Sequence, residues 1–327
     1  VGHPVTPEAI TRIATGFMAS KQLFVACEVG MFAALAEGPL ELDDLAARCG
    51  IPRRTARVLA DGMTALGLLD ASLGRYTNRP ETQAYLSGPV GDGLRPFLRY
   101  WDRISYPAWQ GLEQAVRTGH GVGLADLDEE RQQIFSQGVR ALTSGAAHAL
   151  AEGFGLDRYR RMLDLGGGMG SFLVAALSRH PRLTGTLFDL PPVVAIARPE
   201  LAAGPVGDRV EAVAGDMLTD PIPGGHDLVL MANVLHYFLP GTNVSLLTRV
   251  RTAVEPGTRL LLVDFWTDPT HTQPMMAALM AAEFLTNVGG DVYSAEEAEG
   301  WLTDSGWQPV GQQPLDGALS VLLATAV

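Results

Sequence analysis

The chain has 327 residues, 47% hydrophobic and 18% charged, a balance that fits a folded protein with a sizeable core and excludes a disordered one. At about 150 residues per domain, two domains are expected. Its 24 basic and 36 acidic residues give a formal charge of −12, which argues against a general nucleic-acid binder. No window approaches about 18 consecutive apolar residues, so no membrane span is expected. The opening VGHPVTPEAITRIATGFMASKQ has no charged start followed by an apolar run. No secretory leader is therefore expected, and the predicted location is the cytoplasm. Cys27 and Cys49 have neither CxxC spacing nor a paired histidine cluster, so they read as reduced thiols. The histidines lack metal-ligand spacing, and no metal is expected.

The pattern changes near residue 155, which predicts domains at 1–154 and 155–327. Residues 9–36 carry Ile10, Ile13, Phe17, Phe24, Val25, Val29, Phe32 and Leu35 at helical spacing. That apolar stripe is broad for helices facing one core and suggests a second copy of the chain as partner. Residues 40–79 read as a winged helix-turn-helix. Leu42, Leu45 and Ala46 mark one helix, Gly50-Ile51-Pro52 the turn, and Thr55, Val58, Leu59 and Leu66 the second helix. LLDASLGRYTN follows as a hairpin. Arg53, Arg54 and Arg57 on the second helix raise DNA reading, but the net charge favours a structural module. Residues 94–118 and 128–153 continue the helical pattern. Five aromatics, Phe97, Tyr100, Trp101, Tyr106 and Trp109, fall within thirteen residues. They read as core or as the wall of an apolar site, with Trp101 and Trp109 as substrate candidates.

Beyond residue 155, strands and helices alternate. Strands are expected at 161–165, 184–189, 209–214, 227–231 and 259–265. The helices expected are 171–180, 192–198, 241–255, 274–287 and 295–305. Two late strands, 307–314 and 318–326, are too close together for a crossover helix and predict an antiparallel hairpin. The expected fold is α/β, a Rossmann-like doubly wound sheet ending in that hairpin.

Strand RMLDL runs into Gly166-Gly167-Gly168-Met169-Gly170 and then a helix. Glycines there let the chain turn sharply and let a ligand approach the backbone. A dinucleotide site favours G-x-G-x-x-G, whose last position here is Ser171. Asp164 beside the loop suits a cation, such as the amino group of S-adenosylmethionine, better than a pyrophosphate. Asp189, followed by Leu190 in LFDLP, is placed to take ribose hydroxyls. Asp216 and Met217 in AGDML are placed for the adenine amino group and face. Asp189 alone does not discriminate between the two cofactor classes.

Together, LDLGGGMG, LFDLPPV, GDM and NVLHYF resemble the small-molecule O-methyltransferases of the caffeic acid and acetylserotonin type, with their bacterial antibiotic-pathway relatives. The resemblance spans nearly the whole chain. It implies a class I methyltransferase fold, S-adenosylmethionine as cofactor and a helical, winged-helix N-terminal domain that makes a homodimer. It places the cofactor contacts on Gly166, Asp189, Asp216, Met217 and Ala232, the last where plant members have Lys; Gly168 of the same loop is counted with the expected cofactor residues. It places the catalytic base on His236, where His236-Tyr237-Phe238 replaces the plant His-Asp-Trp. The first supporting Glu becomes Asp264, and the second becomes Val292 in GGDVYS. Histidine suits proton removal near neutral pH. Met276, Met280 and Phe284 share one helix face and, with Asn287 and Tyr293, complete the expected substrate site. The expected activity is O-methylation of a small hydroxylated or carboxylated metabolite, with no nucleic-acid or membrane partner. The altered surroundings of His236 leave C- or S-methylation as an alternative, and the winged helix leaves a ligand-sensing regulator.

Overall fold

The computed structural model describes residues 5–88, 93–121 and 127–327; the first four residues of the N-terminal segment lie outside that range. The chain forms two compact units, Val1–Tyr106 with Glu129–Leu142, and Pro107–Asp128 with Thr143–Val327. The change of pattern near residue 155 marks where strand–helix alternation begins. The units themselves exchange chain segments earlier than that single boundary.

In the first unit, helices α1 (Glu8–Glu28) and α2 (Met31–Ala34) precede β1 (Leu40–Glu41) and the pair α3 (Leu42–Cys49) and α4 (Arg53–Ala65). Strands β2 (Leu69–Ser72) and β3 (Arg75–Asn78) form the expected hairpin, and β1 pairs with β3. Helices α5 (Pro80–Leu86) and α6 (Arg95–Tyr100) follow. Ala26, Met31, Phe32, Leu35, Leu45, Met63 and Leu69 make the core. The apolar stripe of α1 is only partly used there: Ile10, Ile13, Phe17 and Met18 face outward. On α4, Arg53 bonds Asp43 at 2.5 Å and Arg57 bonds Asp61 at 2.8 Å.

The helical stretch expected at 94–118 is broken. After α6 comes a wider π-helical turn, Trp101–Ser105, then α7 (Tyr106–Trp109) and α8 (Leu112–Thr118). Pro107 has no N–H to continue an α-helical ladder, and Gly111 is a poor helix former. Helix α9 (Glu129–Gly153) then runs through both units.

The second unit is built on seven strands in the order β6-β5-β4-β7-β8-β10-β9. They are β4 (Arg161–Leu165), β5 (Thr184–Asp189), β6 (Val210–Ala214), β7 (Leu228–Ala232), β8 (Arg259–Asp264), β9 (Trp307–Pro314) and β10 (Ser320–Ala326). The first five are parallel; β10 runs antiparallel to both β8 and β9. Helices α10 (Ser171–Arg179), α11 (Pro191–Ala203), α12 (Pro240–Thr252), α13 (Met275–Val288) and α14 (Ala295–Asp304) complete it. Strands such as RLLLVD are buried almost throughout, as a sheet covered on both faces requires. Strand order reverses at β4, flanked by β5 and β7. The carboxyl ends there form the crevice where open α/β sheets bind ligands.

Candidate active site

The loop after β4 is shaped by two left-handed glycines, Gly166 (φ 73°) and Gly168 (φ 57°). A Cβ on Gly166 would lie 2.8 Å from Val234 and 3.0 Å from Met217, so the bend is pressed against both residues. A Cβ on Gly168 would meet open space. Asp189, at the end of β5, accepts the Gly168 N–H at 2.8 Å and the Leu190 N–H at 2.7 Å. It therefore clamps the glycine loop, a role its position in the sequence did not reveal. Burial raises its pKa above the usual carboxylate range, and the two N–H groups work against that shift. A carboxylate has about four lone-pair sites, which leaves capacity for a ribose.

Asp164 lies beneath Gly167, where a Cβ would come within 2.7 Å of its carboxyl carbon. It is 1% exposed, and neither oxygen makes a hydrogen bond of ordinary geometry, although the Leu173 N–H is close enough to work against its raised pKa. Burial first, and then the charge of Asp189, push it up to about 7. A buried acid so poorly satisfied is the group a cationic ligand would relieve. Beyond β6, Asp216 accepts the Leu218 N–H at 2.8 Å, and Arg249 holds the Met217 carbonyl at 3.1 Å. Ala232 ends β7, and Leu190 is half-exposed beside Asp189. An open backbone bend, a poorly satisfied acid and further acids at successive strand ends fit a positively charged nucleoside and suit a pyrophosphate poorly.

The structure brings His236 and Asp264 together. After β7 the chain makes a short 3-10 turn, Leu235–Tyr237, held by the Asn243 amide on the Leu235 and Phe238 carbonyls at 3.0 and 3.1 Å. Within it, His236 Nδ1 donates to Asp264 Oδ1 at 2.7 Å, and the Phe265 N–H donates to the same oxygen at 2.9 Å. Both side chains are buried. The carboxylate assigns the proton to Nδ1 and leaves Nε2 as the basic nitrogen. Phe284 stacks on the imidazole with centroids 3.7 Å apart and planes at 3°, and Tyr237 stacks at 4.8 Å and 26°. The Asp291 N–H donates to the His236 carbonyl at 3.1 Å. Gly290 approaches that carbonyl so closely that a Cβ would sit 1.7 Å from its oxygen. The Tyr237 hydroxyl is pushed up by desolvation and by the charges of Asp189 and Asp264, so it stays neutral, although the residue as a whole is 39% exposed.

Met280, Phe284 and Asn287 share the buried face of α13, with Met276 half-exposed near its start. Trp109 belongs to the same unit, and its indole N–H donates to Glu283 on that helix. Trp101 belongs to the first unit, edge-on to Phe97 and Tyr100 at 5.8 and 5.7 Å. The Tyr293 hydroxyl donates to the Phe238 carbonyl at 2.6 Å and its ring packs edge-on to Trp301 at 4.7 Å. Val292 is buried and brings no acid to His236. Glu283 and Gly290 escaped the sequence reading. A lone acid in MMAALMAAEFLTNV was the available signal for Glu283.

Two families match this chain: an O-methyltransferase domain over residues 103–308 and an O-methyltransferase dimerisation domain over residues 11–88. A 3-hydroxy-5-methyl-1-naphthoate 3-O-methyltransferase of Streptomyces sahachiroi is 33% identical over 311 residues, covering 93% of this chain and 90% of the relative. A tetracenomycin polyketide synthesis 8-O-methyltransferase of Streptomyces glaucescens is 30% identical, covering 96% and 95%. Among solved structures, human N-acetylserotonin methyltransferase in complex with S-adenosylmethionine superposes with a TM-score of 0.90. It shares 27% identity, with 100% of this chain and 99% of that one covered.

Proposed function

We propose that this chain, which belongs to the O-methyltransferase family, methylates a hydroxyl of a small aromatic or polyketide-like metabolite with His236 as general base. S-adenosylmethionine is its cofactor and supplies, when bound, a methyl group on a positively charged sulfur. The observation that carries the reading is the buried His236–Asp264 pair on the strand ends that also carry the cradle. Asp164 lies where it can balance positive charge, Asp189 holds the loop and is placed for ribose, and Met217 lines the bend. His236 Nε2 takes the proton of the substrate hydroxyl, while Asp264 fixes the ring and stabilises the imidazolium. Such base assistance contributes roughly 10²–10⁴-fold. The biosynthetic names of the two Streptomyces relatives support a substrate of that class.

The first unit serves as the dimerisation module, and the outward apolar residues of α1 are its contact with a second copy. Its α3–α4 pair and hairpin form a winged helix without DNA function, a reading supported by the ion pairs that engage Arg53 and Arg57. No helix among the described residues is long and apolar enough to cross a membrane. The cytoplasm is the proposed location.

Transfer of labelled methyl to a panel of phenols tests the activity. His236→Ala should lower the rate by roughly 10²–10⁴-fold. Full activity in that variant rejects His236 as the base.

A further inference from the structure

The turn that carries His236 is held by more than its own hydrogen bonds. Leu235, His236 and Phe238 each present a carbonyl to a donor from elsewhere in the chain. The Asn243 amide donates to Leu235 at 3.0 Å and to Phe238 at 3.1 Å. The Tyr293 O–H donates to Phe238 at 2.6 Å, and the Asp291 N–H donates to His236 at 3.1 Å. Two carbonyl acceptors fix the nitrogen of the Asn243 amide on the side of the turn. Its Oδ1 is buried with no partner, and the residue is 0% exposed. A buried acceptor without a donor destabilises a protein, and native structures retain few of them. Only the donor half of this amide is used, and both of its hydrogens go to the turn. Helix α12 grips a second loop six residues further on. There Arg249 donates to the Met217 carbonyl at 3.1 Å and to the Asp220 carbonyl at 2.5 Å, on the cofactor side.

We infer that Asn243 is a positioning residue for the reaction: its amide sets the turn so that the His236 imidazole meets Asp264 and presents Nε2 to the substrate. Asp264 ends β8, a strand paired on both sides, and is fixed by the sheet. His236 belongs to a short 3-10 turn, so it is the half of the pair that can move. The two Asn243 bonds bracket it, one residue before and two residues after. Without them the imidazole shifts against Asp264, and a displacement of about 1 Å costs roughly 10²-fold in rate. The inference rests on the proposed reading of His236 as the base and adds what holds that base in place.

The test reads the His236 Nδ1 proton itself, by NMR of the full-length protein isotopically labelled at histidine and loaded with S-adenosylhomocysteine. Wild type should show a downfield imidazole proton that Asp264→Asn removes. In Asn243→Ala that proton should exchange with water about ten-fold faster or more. Tyr293→Phe, which removes one of the two bonds on the Phe238 carbonyl, should accelerate it by a smaller factor. Affinity of Asn243→Ala for S-adenosylhomocysteine should stay within about three-fold of wild type, because Arg249 still holds Met217. Arg249→Met should do the reverse, weakening S-adenosylhomocysteine about ten-fold and leaving the proton unchanged. On a phenol that wild type methylates, Asn243→Ala should lower kcat about ten-fold or more and change KM by less than about three-fold. If Asn243→Ala does not fold, Tyr293→Phe decides. An unchanged exchange rate in a folded Asn243→Ala, an equal acceleration in Arg249→Met, a raised KM with unchanged kcat, or no downfield proton in wild type overturns the inference. Full methyl transfer by His236→Ala would instead reject the base and leave the frame around the turn standing.

Discussion

Replacing Asp164 by Asn should stabilise the ligand-free protein at pH 8 while weakening its hold on S-adenosylmethionine. The folded carboxyl sits near 7, against an ordinary value of 3.8. It therefore keeps its proton in the folded state over a range in which the unfolded chain has released it. Stability conferred by that proton is present near pH 4 and is lost as pH rises toward about 7, beyond which the dependence is flat. A gap of about 3 pH units corresponds to about 4 kcal/mol, and at 1% exposure water screens little of it. Asparagine removes that charge but buries its own amide without a partner, at about 1–3 kcal/mol. The net gain at pH 8 should be about 1–3 kcal/mol, with little or none at pH 5. Urea unfolding of both ligand-free proteins at pH 5, 6, 7 and 8 measures the difference. Wild-type affinity for S-adenosylmethionine should rise with pH up to about 7, because a cation favours the ionised acid. Asp164→Asn should lose both that dependence and about ten-fold or more in affinity. Parallel stability profiles for the two proteins would refute the reasoning.

Three other changes have clear signs. Gly290→Ala places a Cβ where the His236 carbonyl now stands, so transfer activity should fall at least ten-fold with cofactor affinity preserved; calorimetry and a transfer assay together check this. Asp264→Asn removes the acceptor that fixes the imidazole proton on Nδ1 and should lower kcat by about 10²-fold or more, with KM changed far less, in steady-state kinetics. Phe17→Glu puts a charge into the outward apolar stripe of α1 and should convert a dimer to monomer in sedimentation analysis at micromolar concentration.

Continuous apolar runs made the second unit legible in the sequence. RMLDL, LVLMA and RLLLVD can be satisfied only inside a covered sheet, and the short break before β10 allowed only a hairpin. The cradle was legible because its acids sit at strand ends, and the sheet brings those ends together whatever the loops do. What depends on loop geometry was hidden. Asp189 clamps Gly168 because the glycine loop folds back across β5, and no local pattern encodes that return. The Tyr293 hydroxyl meets a carbonyl from a turn 55 positions away, a contact no local pattern announces. The break in the helix at Trp101–Ser105 was obscured because the aromatic spacing continues through it. Asp264 could be assigned only through the family resemblance, yet the structure sets its carboxylate 2.7 Å from the His236 Nδ1.

The most direct test of the cradle is a calorimetric titration of the purified protein with S-adenosylmethionine, followed by NAD. Saturable binding of S-adenosylmethionine at one site per chain, with no heat from NAD, is the expected result. Silence with S-adenosylmethionine at millimolar concentration, or saturable binding of NAD at the same site, would contradict it.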